Sequence, residues 1–198
     1  MVQIINTLEC VTLNLLRDNK VRIYGNRLLK TLPGQNTRPT SARVREALFD
    51  IWRGKITGCR WLDLCAGNGS MGAEALCRGA TEVVGIELNS KACQIIRLNW
   101  QQVATKEQFR VIRGDIRVKL KSLASEQFDL IYFDPPYASG LYESVLEDIS
   151  ALGLLSFDGE IAVEHNPKFW EAIPVGKLQV CREKVYSNTA LTFYSFDD

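Results

Sequence analysis

The sequence predicts a doubly wound α/β fold, and three observations carry that prediction. From residue 60 onward, short apolar runs alternate with helical segments, which is the pattern of a parallel sheet with crossover helices. The last two apolar runs, 178–186 and 190–196, are joined by a short turn at Ser187-Asn188, so an antiparallel strand closes the sheet. The composition, 46% apolar and 24% charged over 198 residues, suits one ordinary globular domain.

Strands and helices follow one another regularly along this sheet core, residues 60–198. Five strands are predicted before the final hairpin, at 60–64, 82–87, 109–115, 128–134 and 159–165. The intervening helices are predicted at 70–78, 90–103, 116–123 and 141–153. The alternation continues without a long gap, as a doubly wound sheet requires.

The segment in front of the sheet is basic. The first sixty residues hold eleven Lys and Arg against four Asp and Glu, whereas the whole chain has a net charge of +1. We interpret residues 1–20 as an N-terminal extension, 21–38 as a small basic β-ribbon with a turn at Pro33-Gly34, and 39–198 as the main domain. Such a basic front end suits a polyanion-binding appendage, and a merely solvated basic surface gives the same pattern.

A helix at 40–53 opens the main domain. Five apolar residues repeat at helical spacing on one face: Val44, Ala47, Leu48, Ile51 and Trp52. Thr40 or Ser41 can cap the first turn of this helix. We therefore expect the helix to pack its apolar face on the core.

The cysteines and the single histidine exclude several classes of site. None of the six cysteines forms a C-x-x-C pair and His165 is the only histidine, so neither a zinc cluster nor any other metal is expected. We interpret the cysteines as small thiols of a cytoplasmic protein. No run approaches the roughly 18 uncharged apolar residues of a membrane helix, so no membrane partner is expected.

A glycine-rich turn follows the first strand of the sheet. Gly67, Gly69 and Gly72 match G-x-G-x-x-G, and Glu87 ends the next strand twenty residues after Gly67. An acidic residue there can accept both hydroxyls of a ribose, which fits NAD and S-adenosylmethionine equally. Asp63, just before the glycines, favours the second, because a carboxylate attracts an amino-acid ammonium and repels a pyrophosphate.

The third strand ends at Asp115. A carboxylate at this place in the sheet could accept the exocyclic amine of an adenine. A lone Asp after a strand is also a common helix N-cap, so the sequence leaves both roles open.

The fourth strand ends in Asp134-Pro135-Pro136-Tyr137. The two prolines stiffen the backbone and remove two N–H donors, so the loop offers only acceptors, the Asp134 carboxylate and a main-chain carbonyl such as that of Pro135. Such a pair suits the planar exocyclic amine of a nucleobase, whose two N–H bonds it would accept. Tyr137 could stack on the base. The sequence therefore predicts a catalytic loop at the carboxyl edge of the sheet.

These motifs resemble those of class I S-adenosylmethionine-dependent methyltransferases, and most closely the RsmD-type 16S rRNA guanine-N2 methyltransferases. The resemblance covers residues 21–196 and rests on RPTSARVREALFDIW, LDLCAGNGSMGAEALCRGA, VVGIELN, FDLIYFDPPY and KVYSNTALTFY. It implies a Rossmann-like, seven-stranded, mostly parallel sheet whose last strand is antiparallel. It also implies S-adenosyl-L-methionine as cofactor, held by Asp63, Ala66, Gly67, Gly69, Glu87, Leu88, Asp115 and Ile116.

Four positions depart from the family pattern. Asn26 and Ser187 stand where glycines are usual, Asn68 replaces a serine and Cys65 an aromatic residue. They fall in the ribbon, the final hairpin and the glycine turn. The residues assigned to the chemistry keep the family pattern.

The resemblance implies methyl transfer to the N2 amine of a guanine in 16S rRNA, free or within a small-subunit assembly intermediate. We expect phosphate contacts from the basic segment, at Arg22, Arg27, Lys30, Arg38 and Arg43. We also expect a cytoplasmic monomer.

Four other functions fit parts of the sequence. DNA or RNA adenine-N6 methylases share the DPPY motif, but the DNA enzymes usually carry a separate target-recognition region. A protein glutamine methylase would use Asn-Pro-Pro-Tyr. An NAD-dependent oxidoreductase leaves Asp63 and the DPPY loop unexplained, and a non-catalytic RNA-binding module leaves the cofactor motifs unexplained.

Overall fold

The computed structural model describes residues 20–32 and 41–197. The strands are β1 (Lys20–Ile23), β2 (Arg27–Lys30), β3 (Arg60–Leu64), β4 (Glu82–Glu87), β5 (Phe109–Arg113), β6 (Phe128–Phe133), β7 (Leu155–His165), β8 (Leu178–Tyr186) and β9 (Thr189–Phe196). The α-helices are α1 (Ala42–Ile51), α2 (Ser70–Cys77), α3 (Ser90–Trp100), α4 (Ile116–Lys119) and α5 (Tyr142–Leu152). Short 3-10 turns lie at Tyr24–Asn26, Lys106–Gln108 and Leu120–Leu123.

Seven strands form the main sheet in the order β5-β4-β3-β6-β7-β9-β8. The first five strands in this order are parallel to one another, and β9 is antiparallel to both of its neighbours, β7 and β8. The predicted doubly wound sheet with an antiparallel last strand is confirmed. The strand order reverses between β3 and β6, so the loops after these strands flank the crevice where ligands bind in such sheets.

Apolar side chains cover both faces of the sheet. Along β3, Trp61 belongs to one buried cluster, and Leu62 and Leu64 belong to another. Successive side chains of a strand point to opposite faces, so the clusters are the two layers of the core. The first contains Trp52 and Trp100, and the second the residues that α5 buries.

Helix α1 buries the apolar face that the sequence predicts. The side chain of Ser41 caps it by accepting from the backbone N–H of Val44 at 3.2 Å. Leu48 and Trp52 are fully buried, and so is Phe49, which stacks on Trp61 with ring centroids 5.5 Å apart. The helix is therefore part of the first core layer.

The described part of the β-ribbon is a short antiparallel hairpin. Its two strands are joined at Tyr24–Asn26, and the predicted turn at Pro33-Gly34 lies outside the described residues, as does most of the extension 1–20. Asn26 has φ 62°, in the left-handed region that asparagine tolerates, so it can stand where the family has glycine. Ile23 and Leu29 are buried in the same cluster as Trp61. The ribbon therefore packs on the core of the sheet domain.

Two kinds of feature are absent from the described ranges. None of their helices is long and apolar enough to cross a membrane. No group of three or more His, Cys, Asp or Glu side chains in those ranges is arranged to hold a metal ion.

Candidate active site

The four carboxylates singled out by the sequence converge on Cys65, the first residue after β3. The pKa of the Cys65 thiol is raised chiefly by burial and then by the negative charges of Glu87, Asp134, Asp63 and Asp115. Asp63 lies near the end of β3 and Glu87 ends β4, while Asp134 and Asp115 follow β6 and β5. The carboxyl ends of these four neighbouring strands meet at one edge of the parallel sheet. The structure therefore brings together the acidic residues predicted for the cofactor and catalytic sites.

The glycine turn is held against the end of β4 by Glu87. One oxygen of the Glu87 carboxylate accepts the N–H of Gly67 at 2.9 Å, and the other accepts the N–H of Asn89 at 2.7 Å. Gly67 has φ 57°, and a Cβ there would meet only the Cys65 carbonyl, at 4.0 Å. The carboxylate keeps further lone pairs for a ligand, and the backbone of Gly67 is open to one.

Asp63 lies under this turn, 1% exposed. Its carboxylate accepts the N–H of Gly72 at 2.9 Å. The pKa of Asp63 is raised to about 7, chiefly by burial and to a smaller extent by the charge of Glu87, while the Gly72 hydrogen bond opposes the rise. A buried carboxyl group in this state favours a cationic ligand group, which would stabilise its ionised form.

Trp100 explains two of the three glycines of the motif. A Cβ on Gly72 would lie 2.4 Å from the Trp100 ring, and a Cβ on Gly69 would lie 2.7 Å from Nε1. The Nε1 of Trp100 donates to the carbonyl of Gly69 at 2.7 Å. Gly69 and Gly72 therefore make room for the indole, which fixes the shape of the turn.

Asp115 performs the cap role that the sequence left open. Its carboxylate accepts the backbone N–H of Arg117 at the start of α4 and pairs with the Arg117 guanidinium at 2.6 Å. Hydrogen bonds from Arg117 lower the pKa of Asp115. Beside it, Ile116 is buried, whereas Leu88 after β4 is 66% exposed. An exposed Leu88 offers an apolar surface for a flat ring.

The DPPY loop follows β6 directly. The N–H of Asp134 donates to the carbonyl of Leu64 at 3.4 Å, which joins the loop to the end of β3. Pro135 is buried and Pro136 exposed, and the Pro136 carbonyl accepts from the N–H of Ser139 at 2.8 Å. Because the Pro136 oxygen is engaged, the Pro135 carbonyl is the better second acceptor.

Tyr137 is tied to the final hairpin. Its hydroxyl lies 3.3 Å from the Thr189 hydroxyl at the start of β9. The hairpin turns at Ser187, whose φ of 58° keeps the left-handed backbone that glycine provides in the family. The hairpin therefore positions the Tyr137 ring.

An aromatic cluster borders the loop and was not found by sequence reasoning. Tyr142 stacks on Trp170 with ring centroids 4.4 Å apart, and both rings contact His165. Tyr142 also contacts Phe133, the residue before Asp134, with ring centroids 6.0 Å apart, which places the cluster beside the loop. The pKa of Tyr142 is raised chiefly by burial and then by the charge of Asp134. No motif marks these residues, because Tyr142 is separated in the sequence from His165 and Trp170.

Four of the five predicted RNA-contacting residues are described, and all four are exposed on the basic segment. Arg22 donates to the side chain of Asn26, Arg27 donates to the Cys77 thiol at 3.4 Å, and Arg43 lies over the Tyr186 ring. Lys30 is the fourth. Arg38 lies outside the described residues.

A family described as Conserved hypothetical protein 95 matches residues 21–195. The chain belongs to this family. Within it, the ribbon, the glycine turn and the DPPY loop all fall inside the matched range.

Relatives of this chain carry methyltransferase names. YlbH of Bacillus subtilis (strain 168), named provisionally as an rRNA methyltransferase, is 32% identical over 170 residues, 85% of this chain and 92% of the relative. Ribosomal RNA small subunit methyltransferase D of Haemophilus influenzae is 29% identical over 175 residues, 84% of this chain and 91% of the relative. The solved structure of yhhF from Escherichia coli, named provisionally as a methyltransferase, is similar to this chain with a TM-score of 0.78 and 29% identity. The match covers 90% of this chain and 98% of yhhF.

Proposed function

We propose that the protein transfers a methyl group from S-adenosylmethionine to the N2 amine of a guanine in small-subunit rRNA. The observation on which this proposal rests is that the DPPY loop and the carboxylate-lined glycine turn lie together at one edge of the sheet. The names of the relatives add support for rRNA as the substrate class. We further propose that the enzyme acts in the cytoplasm, as a monomer organised into ribbon and main domain.

The residues present fit S-adenosylmethionine. The buried Asp63 carboxyl, with its raised pKa, suits the ammonium of the amino-acid part, and Glu87 suits the ribose hydroxyls. Asp115 suits the adenine amine if one of its oxygens is shared with Arg117. Gly67, Gly69 and Ala66 would line the turn beside it, with Leu88 and Ile116 against the adenine. The bound sulfonium would supply an electrophilic methyl carbon.

The loop residues prepare the acceptor amine. Asp134 and the Pro135 carbonyl accept the two N–H bonds of the amine, which directs its lone pair outward. Pro136 holds the backbone rigid, and Tyr137, tied to Thr189, sets the plane of the base. The enzyme's contribution is then orientation and acceptance of amine hydrogens. The base must leave its stack to reach this edge.

Analysis of rRNA nucleosides tests the proposed function. Mass spectrometry of 16S rRNA from a strain lacking the protein is expected to show loss of one N2-methylguanosine, restored by the wild-type protein. Loss of N6-methyladenosine instead would favour the adenine-N6 alternative. An unchanged set of methylated nucleosides in rRNA would contradict the proposal.

Removing Glu87 is expected to weaken cofactor binding. Glu87→Ala should lower the affinity for S-adenosylhomocysteine by roughly ten- to hundredfold. The reason is that the ligand hydroxyls lose their acceptor, which costs about 1–3 kcal/mol of binding free energy. Calorimetric titration measures the change. Glu87→Gln, which keeps an oxygen for the Gly67 N–H, controls for collapse of the turn and should bind better than the alanine variant. Unchanged affinity in Glu87→Ala would remove Glu87 from the cofactor site.

The raised pKa of Asp63 predicts a pH-dependent response to the cofactor. Without ligand, the folded-state pKa of about 7 lies above the unfolded-state value of 3.8, so stability falls as pH rises through this window. An ammonium beside Asp63 lowers that pKa and removes the penalty. The rise in Tm caused by S-adenosylhomocysteine should therefore be larger at pH 8 than at pH 6. Asp63→Asn is the control and should lose this pH difference; an equal rise at both pH values in the wild type would refute the contact.

Exposed arginines of the ribbon predict salt-sensitive RNA binding. Removing Arg22 and Arg27 together, as glutamines, should reduce the slope of log affinity against log salt by about two, one for each phosphate contact. Filter binding to protein-free 16S rRNA at several salt concentrations measures it. Arg53→Gln removes an exposed arginine beyond α1 and should leave the slope nearly unchanged. Equal slopes in the double variant and the wild type would place the RNA contacts elsewhere.

A further inference from the structure

The side chain of Asn99 joins the ribbon to the glycine turn. Asn99 lies in the last turn of α3 and is fully buried. Its Oδ1 accepts the N–H of Lys30 at 2.9 Å, and its Nδ2 donates to the carbonyl of Lys30 at 3.0 Å. The same Nδ2 donates to the carbonyl of Asn68 at 2.8 Å. One amide therefore holds both backbone groups of the last residue of β2 and one backbone group of the turn.

Asn68 is central to the turn. It stands between Gly67, whose N–H bonds to Glu87, and Gly69, whose carbonyl bonds to Trp100. A shift of the Asn68 carbonyl would therefore move the N–H that Glu87 accepts. Because Asn99 is rigidly buried and a buried polar group left without its partner is costly, the three hydrogen bonds of its amide are expected to be kept or lost together.

A second clamp of the ribbon takes a different route. The Nη2 of Arg45 donates to the carbonyl of Arg22 at 2.6 Å, and its Nε pairs with Glu74 at 2.8 Å. Glu74 lies in the middle of α2, and neither side chain has a hydrogen bond to residues 65–69. The chain thus offers one clamp that touches the turn and one that holds only the ribbon.

We propose that Asn99 is a positioning residue that couples rRNA binding at the ribbon to cofactor binding at the glycine turn. The inference rests on the proposed function, which places RNA on the ribbon and the cofactor at the turn. RNA phosphates that fix β2 fix Lys30, and through Asn99 they fix the Asn68 peptide in the geometry that lets Glu87 face the ribose. Coupling of this kind is reciprocal, so each ligand raises the affinity for the other by the same factor.

The test compares cofactor affinity with and without RNA. For the wild type, protein-free 16S rRNA from a strain lacking the protein is expected to raise the affinity for S-adenosylhomocysteine by roughly fivefold or more. S-adenosylhomocysteine should raise the affinity for the rRNA equally. Asn99→Asp keeps the acceptor for the Lys30 N–H and loses both donations, so its coupling factor should fall close to one.

Arg45→Lys is the matched control. It weakens the other clamp and should lower rRNA affinity while retaining the wild-type coupling factor. Because Asn99→Asp could also loosen the fold, its Tm and its affinity for each single ligand are measured beside the coupling factor. A merely structural role would weaken both ligands without changing that factor.

Each outcome decides between the two proposals. Independent binding of the two ligands to the wild type, or full coupling in Asn99→Asp, overturns the role of Asn99 and leaves the proposed function intact. Failure of the wild type to bind S-adenosylhomocysteine or the rRNA overturns the proposed function, and the coupling with it.

Discussion

Asp134→Asn is expected to lower the single-turnover rate of methyl transfer by about a hundredfold or more, with cofactor affinity close to wild type. The loop must accept two N–H bonds from the substrate amine, and an asparagine amide can present a donor there instead. Loss of one preorganised polar contact at a reacting atom typically costs about a hundred- to a thousandfold. The hydrogen bond from Asp134 to Leu64 should survive, because it uses the backbone N–H of Asp134.

Tyr137 supplies the comparison for this experiment. Tyr137→Ala removes the stacking surface and should weaken the hold on the base by about 1–3 kcal/mol, seen as substrate affinity rather than rate. Tyr137→Phe keeps the ring, loses the contact with the Thr189 hydroxyl and should bind nearly as well as the wild type. Near wild-type transfer by Asp134→Asn would contradict the mechanism and the choice of an exocyclic amine as target.

Trp100→Ala is expected to lower the free energy of unfolding by about 3–5 kcal/mol. Trp100 is fully buried, and its ring fills the space that Gly69 and Gly72 leave open. The cavity would lie directly under the glycine turn, so affinity for S-adenosylhomocysteine should fall as well. Denaturant unfolding and calorimetric titration measure the two effects.

Trp100→Phe separates packing from hydrogen bonding. It keeps most of the ring volume and loses the Nε1 donation to Gly69, so a smaller loss, about 1 kcal/mol from the hydrogen bond, is expected. A loss in Trp100→Ala no larger than in Trp100→Phe would show that the turn does not depend on the indole for its shape.

Local patterns were enough to predict the sheet. Alternation of strands and helices gave the strands from β3 to β9, and the acidic residues at strand ends gave the carboxyl-edge site, because parallel strands align those ends. All five helical predictions were longer than the observed helices. The α1 helix spans Ala42–Ile51 within 40–53, α3 ends at Trp100 within 90–103, and α4 ends at Lys119 within 116–123. The ends of helices depend on capping and on tertiary contacts, which the periodicity of the sequence does not indicate.

Long-range contacts were not predictable from one sequence. The hydrogen bonds of Asn99 reach Asn68, 31 positions away in the sequence, and Lys30, 69 positions away. Periodicity gives no sign of such pairs. Asp115 shows a second limit, because its pairing with Arg117 depends on how the guanidinium folds back over the cap. The ribbon turn at Tyr24–Asn26 contains one glycine, and the Pro33-Gly34 pair gave the stronger turn signal.

The ribbon divides its residues between two tasks that selection can act on separately. In β1 the exposed Arg22 is followed by the buried Ile23, and in β2 the buried Leu29 is followed by the exposed Lys30. Inward positions hold the ribbon in the core, so it cannot be exchanged as a detachable module without opening that core. Outward positions face solvent, where most substitutions cost little stability. Under the proposed role of the ribbon in RNA binding, retargeting to another RNA would therefore proceed through its outward residues, while its inward residues stay fixed in the core.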